Sequence, residues 1–288
     1  MLANKPLNHT EFQSMTLCIA AICRRDGEEA IIAASDFLLS NPSLSLKFDT
    51  GAYKFTTASP THRWISMFAG RPYGATEIWE CTRGKFRNKQ DSSKNMRLAY
   101  EQCVEKLRKQ LAEKQLLRNQ FISLREFKRD GPTLFPGRRL AIMQRKLRNF
   151  DFGTEFLVGG FDARGVPDLF TITGRGQMHS FLSTSCAMIG CGADLAKVSF
   201  TKSFNPRDDW TEIVYHVCEA KFRAEVDRRV GDRTVVVIVD KNGIWRHIPE
   251  EGIEKVRNAW KRLGGKRISQ SVSEMIVGLP VTFGWSKR

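Results

Sequence analysis

Thr16 follows Met15 at the head of a strand-like apolar run, in the stretch QSMTLCIAAIC (residues 13–23). A methionine followed by a small residue is the context in which an initiator methionine is removed, leaving the next residue as the chain terminus. A terminal threonine carries a hydroxyl nucleophile and an α-amine base on one residue, and an α-amine titrates near pH ~8. The junction indicates nucleophilic chemistry at Thr16, and a threonine that simply opens a strand is the structural alternative.

Apolar runs of strand length stand in three blocks of the chain, and helical patterns stand between the blocks. Strands are predicted at 17–23, 30–35, 53–59, 63–70, 154–161, 168–173, 178–182, 186–190, 234–240 and 243–248. Helices are predicted at about 71–86 and 95–118, where apolar residues recur at helical spacing, and again at 193–200 and 210–226.

The order of these elements is strands, two helices, strands, two helices, strands. Hairpin turns such as RRDGEE (24–29) join successive strands, and most strands are apolar on both faces. This predicts an α+β fold, a four-layer αββα sandwich of two antiparallel sheets between helix layers. A doubly wound parallel sheet is disfavoured, because it needs single helices alternating with single strands.

Composition indicates a folded, water-soluble chain. The apolar fraction is 41% and there are 19 Phe, which excludes a disordered protein. No run reaches the length of a membrane span, and residues 1–14 lack the apolar core of a secretory signal, so the expected location is the cytoplasm. Several of the seven cysteines lie in strand-like runs, and we expect free, buried thiols.

Neither a metal nor another cofactor is expected. Histidines and cysteines show no zinc-ligand spacing. The pattern Gly190-Cys191-Gly192 lacks the third glycine of a dinucleotide site, since Leu195 stands there, and favours a tight strand-to-helix turn.

The net charge of +15 raises the question of nucleic-acid binding. Residues 101–150 contain 13 Lys or Arg against five Asp or Glu, which is about half of the excess. No recognition helix, zinc finger or RNP-like pattern accompanies this charge. A solvated or partner-facing surface is therefore favoured over a nucleic-acid module.

The ordered set TLCIAAIC, DG, AIIAASD, YKF, ISMFAG, EFLVGGFD, MIGCGAD and VVVIVDKNG resembles a proteasome β subunit or a related bacterial ring peptidase. These are the threonine branch of the N-terminal nucleophile hydrolases. The resemblance covers about residues 16–85 and 153–246, and it lies in the order and spacing of motifs that are individually common. The family has the four-layer αββα fold that the element order also predicts.

The resemblance implies a catalytic set. Its nucleophilic threonine falls on Thr16, its aspartate after the second strand on Asp36, its lysine on Lys54, its oxyanion-hole glycine on Gly70, and its later aspartate on Asp227. In such a set the lysine ammonium favours the neutral, proton-accepting amine, the aspartate orients the lysine, and a backbone N–H stabilises the oxyanion. A structural ion pair between strand ends is the alternative for Asp36 and Lys54.

Three positions depart from the family. Ala193 and Val230 stand where the family has serines that support the threonine amine, and Met15 stands where self-processing subunits carry glycine. Removal of the initiator Met15 is therefore preferred over self-cleavage. The departures leave two functions open: a threonine peptidase or amidohydrolase enclosed in a ring, and a catalytically silent subunit that keeps the fold for assembly or binding.

The expected organisation is an extension or propeptide over 1–15 and one domain over 16–288. A basic helical insertion is expected at about 87–150 and a tail after about 250. The resemblance implies self-association into a ring with protein or peptide substrates. The insertion is interpreted as an entrance or a docking site for an acidic partner or an unfoldase, with a solvated helix pair as the alternative.

Overall fold

The computed structural model describes residues 16–36, 39–41, 46–48, 54–86, 90–264, 268–279 and 282–283. The strands are β1 (Leu17–Arg25), β2 (Glu28–Asp36), β3 (Leu39–Asn41), β4 (Leu46–Phe48), β5 (Phe55–Thr57), β6 (Trp64–Gly70), β7 (Thr154–Phe161), β8 (Pro167–Thr173), β9 (Met178–Ser180), β10 (Cys186–Gly190), β11 (Thr234–Asp240), β12 (Trp245–Ile248) and β13 (Thr282–Phe283). The helices are α1 (Pro72–Phe86), α2 (Ser93–Ala112), α3 (Leu124–Leu134), α4 (Arg138–Arg148), α5 (Ala193–Ser203), α6 (Trp210–Ala224), α7 (Glu250–Leu263) and α8 (Gln270–Val277).

Two antiparallel sheets form the centre of the molecule. The first has the strand order β10-β1-β2-β11-β12-β13, and the second has the order β5-β6-β7-β8-β9. The short strands β3 and β4 pair with each other. Consecutive strands are mostly neighbours, as the hairpin turns in the sequence predicted.

The β1–β2 hairpin turns at Asp26 and Gly27, whose φ angles are 52° and 81°. A two-residue hairpin loop of this kind needs positive φ at both positions, which Asp and Gly tolerate. The turn pairs Arg25 with Glu28 and, farther along the ladder, Cys18 with Ser35. This register brings the end of β2 beside the start of β1.

The inner faces of the two sheets meet in one apolar layer. Alternate side chains of β1, such as Cys18 and Ala20, point into this layer, while Leu17 and Ile19 point to the opposite face of the sheet. The second sheet contributes residues including Ile65, Met67, Leu157 and Leu169. Strands buried on both faces explain the nearly continuous apolar runs in the sequence.

Helices cover both outer faces. Helices α1 and α2 pack on the second sheet, and α5 to α8 pack on the first. The region after about 250, predicted as a tail, forms α7, α8 and β13. The four-layer αββα fold predicted from the sequence is thereby confirmed. None of the described helices has the length and apolar character needed to cross a membrane.

The basic segment predicted as an insertion extends the α2 layer. After α2 the chain passes through a π-helical turn (Glu113–Leu117) and a 3₁₀ turn (Arg118–Gln120) before α3 and α4. These elements share a small apolar cluster around Leu117, Phe127 and Phe135. Helix α4 has no acidic residue, and its basic side chains are exposed: Arg138, Arg139, Arg145, Lys146 and Arg148.

The expectation of free thiols is wrong for two of the cysteines. Cys81 on α1 and Cys103 on α2 form a disulfide, with their Cα atoms 5.9 Å apart. The two helices pack side by side and bring together positions 22 residues apart, a pairing that strand and helix periodicity does not reveal. Cys18, Cys23 and Cys218 are free and buried, and Cys186 and Cys191 are free and half-buried.

Candidate active site

Thr16 immediately precedes β1, and 2% of its surface is exposed. Its Oγ1 donates to Asp36 Oδ1 at 3.2 Å and contacts Lys54 Nζ. Lys54 Nζ also donates to Asp36 Oδ1 at 2.6 Å. The structure therefore brings together three residues that the sequence analysis selected from positions up to 38 residues apart.

The β1–β2 register explains how Asp36 reaches Thr16. The ladder aligns the last residue of β2 with the first residues of β1, and the backbone N–H of Leu17 donates to Asp36 Oδ1 at 3.3 Å. The other carboxylate oxygen, Oδ2, accepts the backbone N–H of Gly231 at 2.8 Å. Both oxygens of Asp36 are therefore held, which fixes the plane of the carboxylate.

Lys54 and Asp36 form a buried ion pair. Lys54 is 1% exposed and Asp36 is 1% exposed. Removing two charges from water costs several kcal/mol per ion unless each charge has close partners. Here the Asp36 carboxylate accepts hydrogen bonds from the Lys54 ammonium and from two backbone N–H groups. The ammonium also contacts the Thr16 hydroxyl.

Gly190 is required by its closeness to Thr16. Its φ is +96°, and a Cβ added there would lie 2.1 Å from the carbonyl oxygen of Thr16. Because Gly190 pairs with Leu17 at the end of the β10–β1 ladder, any side chain would push β10 away from the threonine. The predicted strand-to-helix turn follows, between Gly190 and the start of α5 at Ala193.

Cys191 in this turn is a site residue that sequence reasoning missed. The backbone N–H of Thr16 points to Cys191 Sγ, with 3.4 Å between N and Sγ. The thiol in turn approaches the carbonyl oxygens of Thr16 at 3.4 Å and Arg229 at 3.7 Å. Burial raises the pKa of this thiol, so it favours the neutral form. Its position within Gly190-Cys191-Gly192 was the available signal.

Ala193 and Val230 stand at the positions where the sequence resemblance implies serines. Neither side chain can donate or accept a hydrogen bond. Val230 is buried, and its Cγ2 lies so close to Gly192 that a Cβ there would be 2.6 Å away. The recorded neighbour of the Thr16 nitrogen is therefore the Cys191 thiol.

Gly70 and Asp227 make their observed contacts elsewhere. Gly70 ends β6 with φ +104° and lies against the carbonyl of Gly153. The Asp227 carboxylate binds the Arg229 guanidinium at 2.6 Å, and this hydrogen bond lowers the pKa of Asp227. Among the described residues, Thr16 makes no hydrogen bond to either of them.

Glu155 is a second acid near this end of the sheets. It pairs with Ala69 at the start of β7, and the backbone N–H of Gly190 donates toward its carboxylate. Burial first, and then the negative charge of Asp151, raise the pKa of Glu155 to about 7, while the hydrogen bond from the Gly190 N–H opposes this shift. Over the described residues, no group of three or more His, Cys, Asp or Glu is placed to hold a metal ion.

Two antiparallel sheets between helix layers form the four-layer sandwich that is the fold of the N-terminal nucleophile hydrolases. The chain is similar to a solved structure described as "Anbu (Gly-1) mutant from Hyphomicrobium sp. strain MC1". The TM-score is 0.58 and the identity 14%, over 86% of this chain and 94% of that one. The resemblance predicted from the sequence is therefore confirmed at the level of the fold.

The remaining comparisons give either no match or many matches. No family model and no curated protein sequence matches the chain. Matches to solved structures extend over 523 chains. A fold by itself does not define an activity.

Proposed function

We propose that the chain is an N-terminal-threonine hydrolase that cleaves amide bonds, with Thr16 as nucleophile. The observation that carries the proposal is the buried contact of Thr16 Oγ1 with Lys54 Nζ and Asp36 Oδ1. A threonine whose only role is to open a strand needs no ammonium beside its hydroxyl. Burying an ammonium there costs free energy, so its presence calls for a further role. An ammonium beside the hydroxyl stabilises the alkoxide character that develops when Oγ1 attacks.

The proposed reaction uses the free α-amine of Thr16 as general base. The amine takes the Oγ1 proton while Oγ1 attacks the substrate carbonyl, and the oxyanion of the tetrahedral intermediate is stabilised by backbone N–H donors, for which Gly70 is our candidate. The intermediate collapses to an ester on Thr16, and the ammonium returns its proton to the leaving amine. Water then hydrolyses the ester and restores the hydroxyl. Lys54 and Asp36 hold their charges throughout.

This mechanism requires that residues 1–15 be absent from the active chain. In the full sequence the Thr16 nitrogen belongs to the peptide bond with Met15 and cannot accept a proton. We propose translation from Met15 or removal of the extension, followed by loss of Met15.

The direct test replaces the nucleophile in a chain that begins at Thr16. Thr16→Ala is expected to abolish hydrolysis of peptide and amide reporters, and Thr16→Ser to retain part of it, because serine keeps both the hydroxyl and the amine. Labelling by threonine-directed electrophiles, measured by intact mass, should follow the same order. Undiminished hydrolysis by Thr16→Ala excludes the assignment.

A catalytically silent subunit is the second candidate, and one observation favours it. The Thr16 nitrogen donates toward the Cys191 thiol, and Val230 and Ala193 stand where the family resemblance implies serines that support the amine. An amine that is less firmly positioned takes the hydroxyl proton less effectively. Under this alternative the chain beginning at Thr16 assembles normally, yet neither hydrolyses reporters nor reacts with electrophiles.

We further propose that the chain assembles into a closed ring, with the basic face of α4 as a docking site for an acidic protein partner, such as an unfoldase. An enclosed site protects other proteins from a nonspecific nucleophile. Light scattering should give a mass several times the 32.8 kDa of one chain. Replacing residues 119–148 by a short linker should keep the sheets folded while changing oligomer size, substrate entry or salt dependence. A monomer unaffected by the deletion would refute both parts.

A further inference from the structure

A buried lysine on α6 lies behind the candidate site. Lys221 is 0% exposed, and its Nζ donates to the carbonyl oxygen of Gly231 at 2.5 Å and to Glu225 Oε1 at 2.5 Å. Gly231 is the residue whose N–H donates to Asp36 Oδ2 at 2.8 Å. A continuous series of short hydrogen bonds therefore runs from α6 through Gly231 to Asp36 and Lys54.

Packing alone does not account for a lysine at this position. The neighbours of Lys221 on the inner face of α6 are apolar, including Val217, Cys218 and Phe222, and a methionine would fill similar volume without a charge. Burial lowers the pKa of Lys221, and Glu225 counteracts this by favouring the ammonium. Buried ion pairs can often be replaced by apolar residues with no loss of stability, so this charge calls for another explanation.

A second cation holds the same loop. Arg257 on α7 donates to the carbonyl oxygen of Asp232 at 2.7 Å and to both oxygens of Glu225, at 2.7 and 3.0 Å. Two successive carbonyls, those of Gly231 and Asp232, are thus each held by a cation from the outer helix layer. The Gly231 N–H is thereby kept at a fixed place facing Asp36.

The orientation of the Asp36 carboxylate is sensitive to the Gly231 hydrogen bond, because the χ2 torsion of aspartate rotates easily. One held oxygen therefore does not fix the other. Without the Gly231 N–H on Oδ2, the carboxylate would be held through Oδ1 alone, and its plane beside Lys54 and Thr16 would no longer be fixed.

We infer that Lys221 is a positioning residue for Asp36, acting through Gly231. The inference rests on the proposed function for its catalytic consequence, whereas its structural consequence does not depend on any activity. Lys221 contacts neither Thr16 nor Lys54 among the described residues. We therefore expect its replacement to lower kcat through Asp36 and to leave KM unchanged.

The test uses the chain beginning at Thr16 and compares Lys221→Met with Arg97→Met. The second variant removes a partly buried cation that pairs with Asp168 on the other sheet, at 2.8 and 2.5 Å, and leaves the Gly231 loop untouched. Lys221→Met is expected to lower kcat about tenfold or more with KM unchanged, and Arg97→Met to stay within about twofold. Lys221→Gln, which keeps a donor for Gly231, should recover part of the rate and replaces the Met variant if that does not fold.

An activity-free measurement separates this inference from the proposed function. Hydrogen exchange at the Gly231 amide should become about tenfold faster in Lys221→Met, and the Asp36 carboxylate ¹³C resonance should move, while amides of β7 and β8 stay as they are. If these changes occur but no variant hydrolyses reporters, the positioning role stands and the hydrolase proposal fails. If Lys221→Met leaves Gly231 exchange and the Asp36 resonance unchanged, the inference is overturned, whatever the activity.

Discussion

The backbone N–H of Gly231 donates to Asp36 Oδ2 across 195 residues of sequence. This bond links the loop after α6 to the end of β2, and it is one of the contacts that fix the carboxylate beside Lys54 and Thr16. The candidate site is therefore built by the first strands of the chain and oriented by its last third.

The first prediction concerns the chain terminus. The protein isolated from its own cell should begin at Thr16, because Met15 is followed by a small residue whose amine the proposed mechanism requires. Intact mass and N-terminal sequencing measure this directly. Retention of residues 1–15 in the active protein would rule out the threonine mechanism.

The second prediction concerns Lys54. In a chain beginning at Thr16, Lys54→Ala should lower kcat by about a thousandfold or more, since it removes the charge beside the nucleophile from a set that acts as a unit. Lys241→Ala is the matched control, because it removes a partly exposed lysine paired with Glu28 on the surface. Equal rates for the two variants would leave Lys54 a purely structural role.

The third prediction concerns Gly190. A Cβ there would meet the Thr16 carbonyl at 2.1 Å and would also strain a backbone with φ +96°. Gly190→Ala should lower the free energy of unfolding by about 3 kcal/mol or more and should slow electrophile labelling of Thr16. The control is Gly176→Ala, where φ is +90° but open space surrounds the site, and the expected cost is only about 1 kcal/mol. Urea unfolding gives both values, and similar losses would contradict the role of close contact.

The fourth prediction concerns the Cys81–Cys103 disulfide. It closes a loop of 22 residues, which in the chain-entropy account is worth about 3 kcal/mol. Reduction should lower the midpoint of unfolding in the native chain and have no such effect in the Cys81→Ala, Cys103→Ala double variant. Alkylation after denaturation should label five cysteines without reductant and seven with it. Seven labels without reductant would show that the bond is absent.

The fifth prediction concerns pH. Folding raises the pKa of Glu155 from an ordinary 4.5 to about 7, mainly by burial, with Asp151 adding to the shift. Between these values the folded chain holds more protons than the unfolded chain, so this carboxyl makes the free energy of unfolding fall as pH rises from about 4.5 to 7.

Glu155→Gln removes that slope. Relative to the native chain, this variant should gain about 1 to 2 kcal/mol of stability between pH 4.5 and 7 and keep the gain above pH 7, a value reduced by solvent screening of a half-buried group. Denaturant titrations at several pH values, with the surface variant Glu80→Gln as control, measure it. A constant difference across this range would contradict the raised pKa.

Short-range signals carried most of the sequence prediction. The Asp26–Gly27 turn, the two-sided apolar runs and the order of elements were sufficient for the αββα fold, because each depends on neighbouring residues. Thr16, Asp36 and Lys54 were selected through motif order, and the structure brings them into contact.

The missed features depend on packing between distant segments. Cys103 looked like an ordinary core residue of a helix until α1 packed against α2. Lys221 falls within a helical pattern whose depth of burial is invisible in the sequence. Asp227 has an arginine two residues away, and the sequence analysis did not foresee the ion pair that the two side chains form.

The contact between Thr16 and Asp36 depends on the register of the β1–β2 hairpin. Side chains on a strand alternate between faces, so a register shift of one residue exchanges the inner and outer faces of the strand. Inserting a single residue between Asp26 and Gly27 would therefore turn the Asp36 carboxylate away from Thr16 without altering either residue. The position of the Asp36 carboxylate relative to the Thr16 hydroxyl is therefore set by a two-residue turn at the far end of the hairpin.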